Sequence, residues 1–478
     1  MANQCPHLEA PNGAPKVHSA TSITSRRFSN GHLPGPPGHR IMGSYPEFAK
    51  DRNKFLREAV RTYGDVVRIK LPLRDLVVLG NPEDVHKAMG DTSGDYSKFG
   101  NYHPALAKRQ NGLSFIEGEL FRERRRIVSP LVTRDGLKNT FQANVDAYLE
   151  TLDANIAAAT DAHGVTDLQE VIFQTLLRGV LRQTYTDPFT DKEMRELHEG
   201  MATFTKFLGS TLKIADPPNL VRPWGPYKIR PWTVYSAAMI VKNRVVERQN
   251  SPKLGTYGDV LDGMVLGYKK LKTPMTFWDL CFDVATMTSA SYGTTAGAIT
   301  QTVVRTLLDP EATDRLVQEC ATVDLSQATI ESVRTLRWTK ACFEESIRMQ
   351  GFPLLLRFTA TGANFQGFDI APNTMLGAPI STIHRDPRWW TDPDKFDPNR
   401  FYDNSKRVDQ PRLLHFLAWG AGPHRCTGAQ LGYLIAPYLV ALILSQYKVE
   451  IPPNFTIRED TGLAPTFKGG FRVRLTRR

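Results

Sequence analysis

The sequence predicts a mainly α chain with a smaller β-rich region, and three observations carry that expectation. Apolar residues recur at helical spacing through most of residues 137–248 and again through residues 276–308. Short runs rich in β-branched and apolar residues, at 66–71, 76–79, 365–380 and 463–475, read instead as strands, the last as a closing hairpin. No Gly/Ser-rich or charged linker divides the chain after its beginning. One large domain, residues 33–478, is therefore expected behind a polar tail, residues 1–32, rich in Ser, Thr, His and Asn.

In chain order, Leu33-Pro34-Gly35-Pro36-Pro37-Gly38 is a stiff, extended connector. A helix over residues 55–63 stops at Gly64, a hairpin follows, and residues 82–89 form a short helix. Residues 96–118 have little periodicity and much Gly, Asn and His, which predicts a long irregular loop of the functional kind. Its aromatic residues, Tyr96, Phe99, Tyr102, His103 and Phe115, are candidates either to line a pocket or simply to pack. The helix that opens at Gly118 puts Phe121 and Arg125 on one face, while Arg122 and Arg124 are expected to face solvent. Asp187-Pro188 and residues 217–232 should interrupt the helical region. Thr276 and Asp279 have the spacing of a capping pair at the start of a long helix. Within that helix lies a weak helix-forming patch, Thr288-Ser289-Ala290-Ser291-Tyr292-Gly293-Thr294-Thr295-Ala296-Gly297, whose glycines each cost roughly 1 kcal/mol relative to Ala.

The composition is that of a soluble globular protein: 41% hydrophobic and 23% charged residues leave ample material for a core. The longest unbroken apolar window, near residues 435–444, is about half the ~20 residues that span a bilayer, and the N-terminus has no secretory apolar stretch, so a soluble cytoplasmic protein without a membrane span is expected. Five cysteines, Cys5, Cys281, Cys320, Cys342 and Cys426, are too few and too scattered for a disulfide framework. Sixty Lys and Arg against 49 Asp and Glu give a net charge of +11. Only Arg122 to Arg126 is dense in charge, which speaks against a nucleic-acid binder and leaves a solvated basic surface or an acidic protein partner.

The chemistry concentrates at Trp419-Gly420-Ala421-Gly422-Pro423-His424-Arg425-Cys426-Thr427-Gly428, just ahead of the apolar run 431–444. Gly and Pro let the backbone turn tightly, and the residues after Cys426 read as a helix whose N-terminal N–H groups favour a thiolate. A structural zinc site wants four ligands at short spacings, and no other Cys or His supplies them, so a lone thiolate on a glycine loop suits haem iron. An inert buried cysteine beside a turn is the alternative.

This pattern, aromatic-Gly-x-Gly-x-His-x-Cys-x-Gly, resembles the haem-binding loop of the cytochromes P-450, with Trp419 where the family usually has Phe. The resemblance extends along nearly the whole chain from Leu33. It implies the cytochrome P-450 fold, haem b with Cys426 as the axial ligand, O2 as co-substrate, and electrons from NAD(P)H through separate partners. Trp419, Gly420 and His424 would contact the cofactor, and Arg125, Arg357 and His424 would pair with its propionates. Phe121 and Arg125 match the family's Trp-x-x-x-Arg. Glu345 and Arg348, with Arg400 of Phe396-Asp397-Pro398-Asn399-Arg400-Phe401, would form a buried structural network that fixes the cysteine loop; His384-Arg385-Asp386-Pro387 is a further structural match. Thr294, with Thr295 beside it, falls on the threonine that helps deliver protons in the oxygen-binding groove. Gly293, however, stands where the family has an acid. Tyr96, Tyr102, His103, Ala290, Gly293, Leu355 and Phe467 are the implied pocket residues, Phe467 at the tip of the closing hairpin.

Three functions follow as expectations. The first is a monooxygenase acting on a small, largely apolar molecule, reduced by an acidic ferredoxin or flavodoxin-type donor. The second is an oxidative coupling or ring-closing enzyme, motivated by the acid missing at Gly293. The third is a non-catalytic haem sensor, against which Thr294 and the irregular pocket loop speak.

Overall fold

The computed structural model describes residues 30–478 except 73, 99–111, 115, 139, 187, 212–230, 274, 351–353, 403–413, 458 and 461–465. Tyr102 and His103, like Phe99, Phe115 and Pro465, lie outside the described residues.

The long amphipathic stretches are helices, and they pack around one that is buried along much of its length. Phe277–Leu307, 31 residues long, starts with a reciprocal capping box between Thr276 and Asp279, two of its orphan donors being satisfied at once. Phe141–Ala159, Leu168–Tyr185, Arg337–Met349 and the apolar helix Ala429–Gln446 share the largest hydrophobic cluster with it. A second cluster joins its first half to Gly118–Leu131, Asp191–Thr211, Pro231–Asn250 and Val260–Tyr268. Ala429–Gln446 is long and apolar enough to cross a membrane by composition, yet 78% of it is buried inside the fold. Its length is that of a core helix here. Pro437 sits in its interior, buried, where it removes the donor that Tyr433 C=O would otherwise meet.

The β-rich region is a five-stranded sheet in the order Val66–Lys70, Asp75–Leu79, Met375–Ala378, Leu355–Thr359, Tyr96–Ser97. Only the pairing of Leu76 to Val78 with Met375 to Gly377 is parallel. The sheet joins the N-terminal hairpin to strands far along the chain, and pairing over about 260 residues of sequence is what seats Tyr96 and Ser97 beside Thr359 and Phe358.

Two expectations are corrected. Residues 466–475 form no hairpin: Thr466–Phe467 pairs with Glu459–Asp460, while Arg472–Arg477 pairs with Thr166–Asp167 and Tyr447–Glu450. Phe467 is accordingly no tip residue, since it is 4% exposed and packs against Phe455 and Phe471 in the core. The helical region also has a break that periodicity does not show, at the turn between Ala159 and Leu168, where His163 and Val165 donate to Asp161.

Candidate active site

The cysteine loop is shaped by two glycines at positive φ, Gly420 at 73° and Gly422 at 68°. A side chain on Gly422 would strike Met89 O at 2.1 Å, so the loop lies directly against the end of helix Pro82–Met89. Cys426 N donates to Trp419 O at 2.8 Å, closing the turn, and Ala429–Gln446 begins after Gly428. Trp419 is fixed from behind: its indole N–H donates to Tyr433 Oη at 2.8 Å, and Gly432 leaves room for the ring.

Cys426 is exposed, whereas Cys281, Cys320 and Cys342 are buried. Even so, its sulfur sits deep among protein atoms, and burial pushes the thiol up against the Gly428 N–H, Arg125 and Arg425, which pull it down. The helix-end effect expected from sequence is thus outweighed by desolvation. A bound cation is what would keep this sulfur ionised.

Beside the loop, four basic side chains crowd together. Lys98 Nζ lies 2.6 Å from His424 Nδ1, and the His424 ring packs against that of Phe121, tilted by 36° with centroids 3.9 Å apart. Arg125 Nη2 donates to Arg425 O at 2.6 Å, and Arg357, 7% exposed, donates to Leu356 O at 2.8 Å. Burial, then Lys98, Arg357 and Arg125, push His424 down to about 3. Lys98 falls to about 7 through burial and the charges of Arg357 and Arg125, opposed by Glu117. Of the charges acting on this pair, Glu117 alone is acidic. Sequence reasoning missed Lys98, because a single lysine at the edge of an irregular loop carries no pattern.

On the long helix, Ala290 and Thr294 are exposed, one turn apart, while Thr288, Tyr292, Gly293 and residues 296–306 are buried. Ala290 and Thr294 thus form an open stripe in the middle of a largely buried helix. Thr294 Oγ1 donates to Ala290 O at 2.7 Å, and Thr288, Thr300 and Thr302 bond the carbonyl four residues back in the same way, so each hydroxyl is satisfied inside a helix that propensity disfavours. Thr295 is half-buried, as is Leu355, whereas Tyr96 packs its ring on Phe365 at 6.0 Å.

Glu345, Arg348 and Arg400 come together. Arg348 makes a bidentate pair with Glu345 at 2.7 and 2.7 Å, and Arg400 Nε reaches Glu345 Oε1 at 3.2 Å. His384 links this network to the cysteine loop: Leu417 N donates to its Nε2 at 2.8 Å, so Nδ1 carries the proton and donates to Arg348 O at 3.0 Å. Arg122, as expected, is exposed and pairs with Glu119. Arg124 does not face solvent. It is 1% exposed and bonds Asp283 Oδ2 at 3.1 Å, on a helix that sequence spacing alone could not place against residue 283.

A model of the cytochrome P450 family matches residues 33–464. The chain belongs to the cytochrome P450 family and is an oxidoreductase. It is 24% identical over 436 residues to putative cytochrome P450 132 of Mycobacterium bovis, covering 84% of this chain and 89% of that one. It is 24% identical over 410 residues to cyclooctat-9-en-7-ol 5-monooxygenase of Streptomyces melanosporofaciens, covering 83% and 84%. In fold it resembles a cytochrome P450DA heme domain, with a TM-score of 0.76 at 18% identity over 93% of this chain and 96% of that one.

The family implies haem iron, and the residues present fit it. One thiol, that of Cys426, is on an exposed residue of the glycine loop, and a cluster of basic groups beside it lacks the negative charge that two carboxylates would bring. Among the described residues no group of three or more His, Cys, Asp or Glu side chains is gathered to hold a bare metal ion. A single protein ligand suits iron that arrives already held by a macrocycle.

Proposed function

We propose that the chain is a haem-thiolate monooxygenase that activates dioxygen to oxidise a small, largely apolar molecule, with electrons originating from NAD(P)H and delivered by a separate acidic donor. The observations that carry this reading are two: an exposed thiol at Cys426 on its glycine loop, and an exposed Ala290–Thr294 turn on an otherwise buried helix, in a chain of this family. Cys426 Sγ would take the iron, while Lys98, Arg125, Arg357 and His424 would hold the two carboxylates by charge-assisted bonds. When bound, such a haem supplies the dioxygen chemistry, its thiolate favouring O–O cleavage. Trp419, Gly420 and Leu355 would flank it, and Glu345, Arg348 and Arg400 would keep the loop in place.

The protein's own task is then orientation and proton delivery. Thr294 Oγ1 gives its hydrogen to Ala290 O and has lone pairs to accept another, so it can pass a proton on but cannot originate one near neutral pH. Gly293 offers no carboxyl, which leaves water, or an N–H or O–H of the substrate, as the source.

An acidic donor is supported by a cleft of about 590 Å³ lined by Arg134, Arg334, Arg337 and Lys340 over Leu137, Val333 and Leu434, in which Arg134 pairs with Glu331 and Lys340 with the lining residue Glu344. Gln430 and Tyr433, which share that lining, stand about one and two helical turns past Cys426. Arg334 and Arg337 have no carboxylate partner among the described residues.

The second reading, oxidative coupling or ring closure without oxygen transfer, draws on Gly293: a substrate that supplies its own proton near the iron also offers the bond such an enzyme would oxidise. Turnover under isotopically labelled dioxygen decides. Label in the product supports oxygen insertion, and unlabelled joined or cyclised product overturns it in favour of coupling.

A further inference from the structure

We infer that Glu117 is a positioning residue for the cofactor pocket, setting the Lys98 side chain where it meets His424. The inference rests on the reading that Lys98, Arg125, Arg357 and His424 receive the haem carboxylates. It goes further by giving a role to a residue placed behind that cluster.

Glu117 is the N-cap of helix Gly118–Leu131, with extended backbone at φ −136° and ψ 179°, and it makes no side-chain cap bond. A side-chain oxygen at an N-cap ordinarily accepts from the N–H groups of its own first turn. Here both oxygens reach across the loop instead. Oε1 accepts from Lys98 N at 2.5 Å and Oε2 from Ser97 Oγ at 2.8 Å, nineteen and twenty residues back in sequence. Ser97 is also the last residue of its strand and pairs with Phe358, the neighbour of Arg357. Lys98 is therefore held by its backbone on one side and by the sheet through Ser97 on the other.

With its backbone fixed, Lys98 places Nζ 2.6 Å from His424 Nδ1 and 3.4 Å from Ser114 O. Phe121, one turn into the helix that Glu117 begins, packs its ring against His424 and lies 5.5 Å beneath the Lys98 ammonium. The start of one helix thus holds both members of the pair, Lys98 through Glu117 and His424 through Phe121. Glu117 is also the acidic charge that opposes Arg357 and Arg125 at Lys98, so the same carboxylate orients the ammonium and favours its charged form.

The test compares the haem-loaded protein with Glu117→Ala, Glu117→Gln, Lys98→Ala and the Glu117→Ala/Lys98→Ala double variant, measuring the rate of haem loss to excess apomyoglobin and the reduction potential. Glu117→Ala should speed haem loss about fivefold, the size that one lost hydrogen bond carries, and Lys98→Ala at least as much. The double variant should be no worse than Lys98→Ala alone, because Glu117 acts through Lys98. Glu117→Gln keeps an acceptor for Lys98 N and should recover part of the loss; if Glu117→Ala takes up no haem, Glu117→Gln carries the comparison. Effects that multiply in the double variant, or Glu117→Ala without effect where Lys98→Ala speeds loss, overturn the inference and leave the reading of the cluster intact. Lys98→Ala without effect on haem loss or potential overturns Lys98's place in that cluster, and the inference with it.

Discussion

Arg124 Nη1 lies 3.1 Å from Asp283 Oδ2, and neither side chain exposes more than 1% of its surface. Asp283 also accepts from Leu113 N at 2.5 Å and from Tyr268 Oη at 2.7 Å. One carboxylate therefore joins the long helix to helix Gly118–Leu131, to helix Val260–Tyr268 and to the far end of the 96–118 loop. Asp283→Ala removes the carboxylate from a buried guanidinium and should cost about 3–5 kcal/mol. Urea unfolding of the haem-loaded protein measures it, and Arg124→Met with Asp283→Asn should recover most of the loss. A single variant within 1 kcal/mol of wild type, on the order of a surface pair, would mean that water reaches the guanidinium.

Cys426 should be the one cysteine on which the spectrum depends. The reduced protein treated with carbon monoxide should show the strongly red-shifted Soret band of thiolate-bound haem, and Cys426→His should abolish it. Cys281, Cys320 and Cys342 are all buried in the core, where burial raises each thiol, whereas Cys426 is on an exposed residue and can meet a cofactor. Replacing any of them by Ser or Ala should leave the band in place. A red-shifted band that outlives Cys426→His would remove the basis of the proposed function.

His384 should make the fold acid-sensitive. Burial first, and then the Arg348 charge, depress it to about 3 from 6.5, and its neutral form is the one that bonds Arg348 O and Leu417 N. Between pH 6.5 and 3 the unfolded chain binds a proton that the folded chain refuses. Stability is therefore full above pH 6.5 and falls with acidification, by about 1.4 kcal/mol per pH unit from this group. His384→Gln keeps one acceptor and one donor but cannot charge, so its unfolding free energy should fall less steeply over that window. Parallel pH profiles would assign the slope to other groups.

Thr294→Ala should lower turnover by less than the ~10²-fold that loss of a proton-transfer group ordinarily costs, because no carboxyl at 293 feeds it. Gly293→Asp should change the ratio of product formed to electrons consumed. Complete loss of turnover in Thr294→Ala, with haem and substrate still bound normally, would rule out a proton supplied by the substrate.

Reduction by an acidic donor should slow steeply with salt, since the Debye length shrinks from ~10 Å at 0.1 M to ~3 Å at 1 M. Arg334→Glu with Arg337→Glu should slow it in the same manner at low salt and leave reduction by dithionite unchanged. A flat salt response with ferredoxin and flavodoxin donors alike returns the positive charge to a solvated surface.

What the sequence determined by itself is local. The capping box at Thr276 and Asp279, the stop of helix Arg52–Tyr63 before Gly64, the Val66–Lys70 and Asp75–Leu79 hairpin, and the glycine turn before Cys426 depend on residues a few positions apart, and their chemistry is readable in order. The fixed spacing around Cys426 likewise carried the family, because each residue of such a loop is constrained by what it must lie against.

Only the tertiary structure decided what depends on partners distant in the chain. Arg124 looks like its neighbour Arg122 in sequence, and burial against Asp283 separates them by placing one on each side of the same helix. Residues 466–475 have the composition of a hairpin, but their strands found better partners in Glu459–Asp460, Thr166–Asp167 and Tyr447–Glu450. Lys98 and Glu117 carry no motif at all. Their meaning lies in a 2.6 Å approach to His424 and a carboxylate turned away from its own helix, because charge acts through space and not along the chain.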